Sequence, residues 1–104
     1  MNVTYRIDKN ILYIALEGRI DASNAAQAEE KIFGIKNENP SKHTVVDADN
    51  LEYISSAGLR VILKLRKEEP KLAIINVAPD VYEVFDMTGF TDLVTVDKAY
   101  QRMS

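Results

Sequence analysis

Three times along this chain a short apolar run of strand character gives way to a stretch whose apolar positions recur every three or four residues. Alternation between these two patterns is the mark of β-α units, and it narrows the fold more than any other feature of the sequence. The first run, Ile11-Leu12-Tyr13-Ile14-Ala15-Leu16, is almost continuously apolar. Ahead of it Val3-Thr4-Tyr5-Arg6-Ile7 alternates, and Asp8-Lys9-Asn10 has turn character. The pattern predicts a hairpin whose first strand is half exposed and whose second, ended by Gly18, is buried on both faces. Ala25, Ala28, Ile32 and Ile35 then mark a helix over about residues 22–36. Asp21, Ser23 and Asn24 all suit its N-cap, and Gln27 stands at capping-box spacing from Asn24. Residues 37–41, with Pro40 among them, break it.

The second unit begins with Thr44-Val45-Val46, a short β-branched strand that closes in the polar sequence Asp47-Ala48-Asp49-Asn50. After Ser55-Ser56-Ala57-Gly58, the residues Leu59, Ile62, Leu63 and Arg66 form one helical face, and Pro70 forbids continuation. Arg60, Lys64, Arg66 and Lys67 load the later turns with positive charge, which suits the negative end of the helix dipole. The third unit is Leu72-Ala73-Ile74-Ile75-Asn76-Val77 followed by a helix opening at Pro79 and Asp80 and stopping at Gly89. Leu93-Val94-Thr95-Val96 is read as a last strand and residues 97–104 as a helical turn or frayed tail. The order β-β-α-β-α-β-α-β predicts an α/β fold: a mixed, largely parallel sheet of about five strands with three to four helices packed against it. Right-handed crossovers put the loops at 18–24, 47–58 and 76–80 on one sheet edge, where open α/β sheets bind partners.

Composition removes whole classes of function. A chain of 104 residues has room for one core, so residues 1–104 are read as a single domain. Its 13 Lys and Arg against 16 Asp and Glu give a net charge of −3, the wrong sign for tracking phosphates, so no direct nucleic-acid contact is expected. With no cysteine there is no disulfide framework, thiolate metal site or cysteine nucleophile, and His43 is the one histidine. His43, after a polar loop, reads as an exposed surface residue. No apolar run can span a bilayer and the first ten residues hold no signal core, so the expectation is a cytoplasmic protein without membrane contact.

Residues 47–61 carry the most specific pattern: a strand ending in an acid, a short loop, then Ser55-Ser56-Ala57-Gly58-Leu59 opening an apolar helix. This segment resembles the STAS domain, the fold shared by bacterial anti-sigma factor antagonists and the cytoplasmic tails of sulfate transporters. Leu16-Glu17-Gly18-Arg19-Ile20-Asp21 is similar to that family's Leu-x-Gly-x-Leu/Ile-Asp, and Phe85-Asp86-Met87-Thr88-Gly89-Phe90 to its Phe-x-x-x-Gly-Phe/Leu. The matches fall in order over nearly the whole chain. The resemblance implies a STAS-like fold and, in the antagonist branch, a phosphorylation-switched protein that binds an anti-sigma factor serine kinase and so frees a sigma factor. It implies Ser56 as phosphoacceptor and Asp21, Ser55, Ala57, Gly58 and Arg60 as partner contacts. The sequence departs from the motif at Ser55, where the family has an acid, at Ala57, where it has a hydroxyl, and at Arg60, where a small residue is often found.

The residues have plainer readings too. Ser55 or Ser56 can be an N-cap worth ~1 kcal/mol, and Asp21 can cap the first helix. A serine at a helix mouth also faces unpaired amides and the positive dipole end, so a phosphate there is well held, and Arg60, one turn on, can pair with it. Asp47 and Asp49 suit a phosphoaspartate receiver or a Mg²⁺ site, but Ile14-Ala15-Leu16-Glu17-Gly18 supplies one acid where a receiver needs a pair. A hydrolase lacks a Gly-x-Ser-x-Gly elbow, and a nucleotide binder lacks a Walker sequence. The expectation is therefore no catalysis, no metal and no cofactor. The runner-up is an unmodified STAS scaffold module in another signalling complex. The exposed first strand allows a monomer or a weak edge-to-edge homodimer.

Overall fold

The computed structural model describes residues 1–40 and 43–99. The chain opens with β1 (Asn2–Asp8) antiparallel to β2 (Ile11–Ile20), and both turn residues, Lys9 and Asn10, take positive φ, as a two-residue type I′ hairpin requires. Then come α1 (Ala25–Glu38), β3 (His43–Ile54), α2 (Ser56–Glu68), β4 (Ala73–Val77), α3 (Pro79–Met87), a 3-10 turn at Phe90–Asp92 and β5 (Thr95–Lys98). The sheet order is β1-β2-β3-β4-β5, and every pair after the hairpin is parallel. Strand order that follows chain order, with crossovers of the usual hand, gathers the helices on one face. Burial agrees with that. Leu12, Ile14 and Leu16 of β2, Val46 and Ala48 of β3 and Ile74 of β4 share one core with Ala28, Ile32, Leu59, Ile62, Leu65, Val81 and Phe85 of the helices. At about 25 cal/mol per Å² of apolar surface, burying each large side chain among these contributes about 1.5–3 kcal/mol.

The expected α/β architecture is present, and its details differ in instructive ways. The sequence reading buries β2 on both faces, whereas the structure buries one. Leu12, Ile14, Leu16 and Ile20 are buried while Ile11, Tyr13 and Ala15 are only half-buried, because a sheet with its helices on one side leaves the other to water. Nor does β2 end at Gly18. That residue takes φ +84°, a region glycine enters without strain, the register shifts beside it, and pairing resumes to Ile20.

The largest difference is β3. The predicted strand closes at Val46 and leaves residues 47–58 as a loop, but the strand runs to Ile54, so 47–54 is strand rather than loop. Asp47, Asp49 and Asn50 have poor strand propensity. Bulges against β2 nevertheless turn Ala48, Leu51 and Ile54 all into the core, and that burial outweighs local preference. Helix α1 starts three residues later than read and extends two further, because Asp21 to Asn24 are committed to side-chain bonds of their own. Leu93 and Val94 precede β5, which takes in Asp97 and Lys98 instead. Ser41 of the predicted break and residues 100–104 of the predicted tail lie outside the described residues. His43 is not a plain surface residue: it opens β3, is half-buried, and sets Nδ1 3.2 Å from Glu69 Oε1. Among the described residues no helix is long and apolar enough to cross a membrane.

Candidate functional site

Strands β2 and β3 end side by side, with Ile20 paired to Ile54, and the chain leaves each toward a helix. The two exits are tied together: the Ser55 amide donates to the Ile20 carbonyl at 2.9 Å. Ser55 is extended (φ −91°, ψ 176°) and is the N-cap of α2, its Oγ accepting from the Gly58 amide over a long 3.4 Å. Gly58 allows this close seat. A Cβ there would come within 2.6 Å of Ile54 Cγ1 and 2.9 Å of Ile20 Cγ2, nearer than carbon atoms approach. Burial of Gly58 and Leu59 and partial burial of Ala57 then fix the first turn of α2 on the core.

Ser56 is the first residue of α2 and exposed, and among the described residues its hydroxyl makes no hydrogen bond. The two serines thus divide the readings left open above: the capping oxygen belongs to Ser55, and that of Ser56 is free. The amides of the first turn, unpartnered within any helix, and the positive dipole end lie beside Ser56. A phosphate added there meets donors rather than carbonyls. Arg60, also exposed, follows one turn on and lines a cleft of about 240 Å³ between α1 and α2 with Ala25, Ala26, Glu29, Ala57 and Lys64. Lys64 closes that cleft with an ion pair to Glu29 at 2.8 Å.

Asp21 sits on the neighbouring loop but does not cap α1. Its Oδ1 accepts from the Ser23 hydroxyl at 2.6 Å and the Ser23 amide at 2.9 Å, and these bonds hold its carboxyl below the usual aspartate range. Nor does Asn24 act through a capping box. Its Oδ1 accepts from the Asp21 amide at 3.0 Å and its Nδ2 donates to the Arg19 carbonyl at 2.9 Å, so the side chain braces the loop instead of the helix. The structure therefore brings Asp21, Ser55, Ser56, Ala57, Gly58 and Arg60 to one sheet edge.

Asp47 and Asp49 answer differently. Asp47 is buried on the sheet face away from the helices, where burial pushes its carboxyl up. Donors outweigh that and hold it low: Asn76 Nδ2 at 3.1 Å, the Asp49 amide at 3.1 Å and Arg6 at 3.2 Å. Asn76 takes a left-handed backbone (φ +59°) at this point, and Arg6 lies 4.3 Å over the Tyr13 ring. Three donors thus converge on this carboxylate, two on Oδ1 and one on Oδ2. Among the described residues no group of three or more acids or histidines is arranged to hold a metal ion.

One feature of the edge escaped the sequence reading. Tyr53 is 38% exposed, and Arg19 stacks over it at 4.4 Å. The two are register partners of β2 and β3, so only the register, with its bulge at Glu52, brings them together.

The chain matches the STAS domain family over residues 2–103. It is 33% identical over 100 residues to BtrV of Bordetella bronchiseptica, a protein assigned as an anti-sigma factor antagonist, covering 92% of this chain and 85% of the relative. The fold superposes with a TM-score of 0.81 on an anti-sigma factor antagonist from Mycobacterium paratuberculosis, at 17% identity over 92% of this chain and 84% of that one. The anti-sigma factor antagonist SpoIIAA in its unphosphorylated form gives a TM-score of 0.71 at 18% identity, over 91% of this chain and 87% of that one.

Proposed function

The chain belongs to the STAS domain family, and we propose that it acts as an anti-sigma factor antagonist, switched by phosphorylation of Ser56. In this reading the unmodified protein docks its Ser56 edge on an anti-sigma factor that is also a serine kinase, and the sigma factor held by that kinase is freed. The kinase then transfers the γ-phosphoryl group of ATP to Ser56 Oγ. The bond between that phosphorus and the β–γ bridging oxygen breaks, the Oγ–P bond forms, ADP leaves, and the hydroxyl proton passes to a base on the kinase. A modified edge carries about −1.5 to −2 added charges, and repulsion and desolvation at the docking face expel the partner. A penalty of about 3–4 kcal/mol there lowers affinity by two to three decades.

The observation that carries this reading is the free, exposed hydroxyl of Ser56 at the mouth of α2, beside a Ser55 whose oxygen is spent on the cap. The names of the relatives point the same way. Asp21, Ser55, Ala57, Gly58 and Arg60 are the proposed contacts around it, with Tyr53 and Arg19 as a stacked pair at their border. The chain in this reading is a regulator and not a catalyst, and its partner is a protein rather than nucleic acid or membrane.

The test is capture of the partner from extract of the native cell on wild-type and Ser56→Asp protein. Incubation of the captured kinase with ATP and measurement of intact mass then follow. The expected result is one added phosphate, located on Ser56, and little capture by Ser56→Asp. Tight capture by both proteins with no mass change would instead mark an unmodified scaffold module, the reading that the absent motif acid at Ser55 and absent hydroxyl at Ala57 favour.

A further inference from the structure

Arg60 is the cation this chain sets one turn after Ser56, and among the described residues it has no counter-charge. Among the described residues its guanidinium makes no ion pair or hydrogen bond. The acid that shares its cleft, Glu29, has Oε1 2.8 Å from Lys64 and is already engaged. The other arginines among the described residues are occupied: Arg6 by Asp47, Arg19 by the Tyr53 ring, and Arg66 by the Leu93 carbonyl at 2.8 Å. Helical side chains lean toward the N-terminus, so a residue at i+4 lies over the turn that carries residue i. At i+4 on α2, Arg60 is spaced to reach the turn that carries Ser56, and both residues are exposed.

We infer that Arg60 is an intramolecular clamp for a phosphate monoester on Ser56, its planar fork matching two phosphate oxygens. This inference rests on Ser56 being the phosphoacceptor. Its consequence is that modification alters the docking face twice: it adds an anion at residue 56 and withdraws the cation of residue 60 from the partner. A lysine there would hold the same charge with a less fitted geometry, since the guanidinium donates a pair of parallel hydrogen bonds to phosphate.

The experiment installs phosphoserine at position 56 during translation, so it needs no kinase, and follows the phosphate by ³¹P NMR against pH at low salt. In otherwise wild-type protein the second phosphate ionisation is expected about half a pH unit lower than in Arg60→Gln, because pairing favours the dianion. Arg60→Lys is expected to recover part of the shift, and added salt to shrink it. Superimposable titrations of wild type and Arg60→Gln overturn the clamp. A kinase that leaves Ser56 unmodified would sink the switch reading instead, and that result comes from the mass measurement above, not from this titration.

Discussion

Asp47 and Ser56 lie on one stretch of chain, the first inside β3 and the second at the start of α2, and the fold treats their side chains in opposite ways. Asp47 is buried and collects three donors from three places: Arg6 on β1, Asn76 on β4 and the Asp49 amide. Ser56 is exposed and collects none among the described residues. Both are polar groups on the same β-α unit, so polarity alone does not mark function. A carboxylate held by three donors stitches strands together, whereas a hydroxyl left free at a helix mouth has chemistry to spare.

The comparison breaks first at Asp47, where the largest effect is expected. Asp47→Ala leaves Asn76 and Arg6 without their acceptor, and about 2–3 kcal/mol of stability should be lost in urea unfolding. The pH dependence has a definite sign. A carboxyl held below its ordinary value stabilises the fold above about pH 4 and loses that contribution as pH falls through its folded value. Between pH 5 and pH 3, Asp47→Asn should lose less stability than the wild type; equal losses would mean that Asp47 is not held low. Next comes Gly58→Ala, which drives a methyl group into Ile54 and Ile20 and should cost about 1–3 kcal/mol in the same assay. Ser55→Ala removes a cap whose bond is long, and about 0.5 kcal/mol is expected. Smallest is Ser56: both Ser56→Ala and Ser56→Asp should fall within about 0.5 kcal/mol of wild type by thermal unfolding. A loss at Ser56 as large as that at Asp47 would erase the contrast on which the functional reading stands.

The residues at the mouth of α2 were legible in the sequence because local chemistry determines them. Ser55 and Ser56 precede an apolar helical face, and the choice between them turns only on which one lies at the cap. The turn at Asp8-Lys9-Asn10, though not its type, and Pro79 at the start of α3 are likewise decided within a few residues. What stayed hidden depends on register. That 47–54 is strand follows from two bulges that turn Leu51 and Ile54 inward, and no window of the sequence alternates to announce it. Nor does any local pattern announce that Arg6, forty-one positions away, reaches Asp47, or that Arg19 covers Tyr53. In Asn24 the failure was one of competition: its side chain had two partners available in the preceding loop, and those won over the helix end.

The amide-to-carbonyl bond from Ser55 to Ile20 fastens two exits that are far apart along the chain. Exchanging this edge between relatives of the fold is therefore a paired operation. A graft of residues 54–60 alone would set a foreign helix mouth against a native neighbour, and the bond geometry and the Ile20–Gly58 contact would no longer match. Transplanting residues 18–24 along with them moves the whole joint, so drift in either segment is expected to be answered by drift in the other.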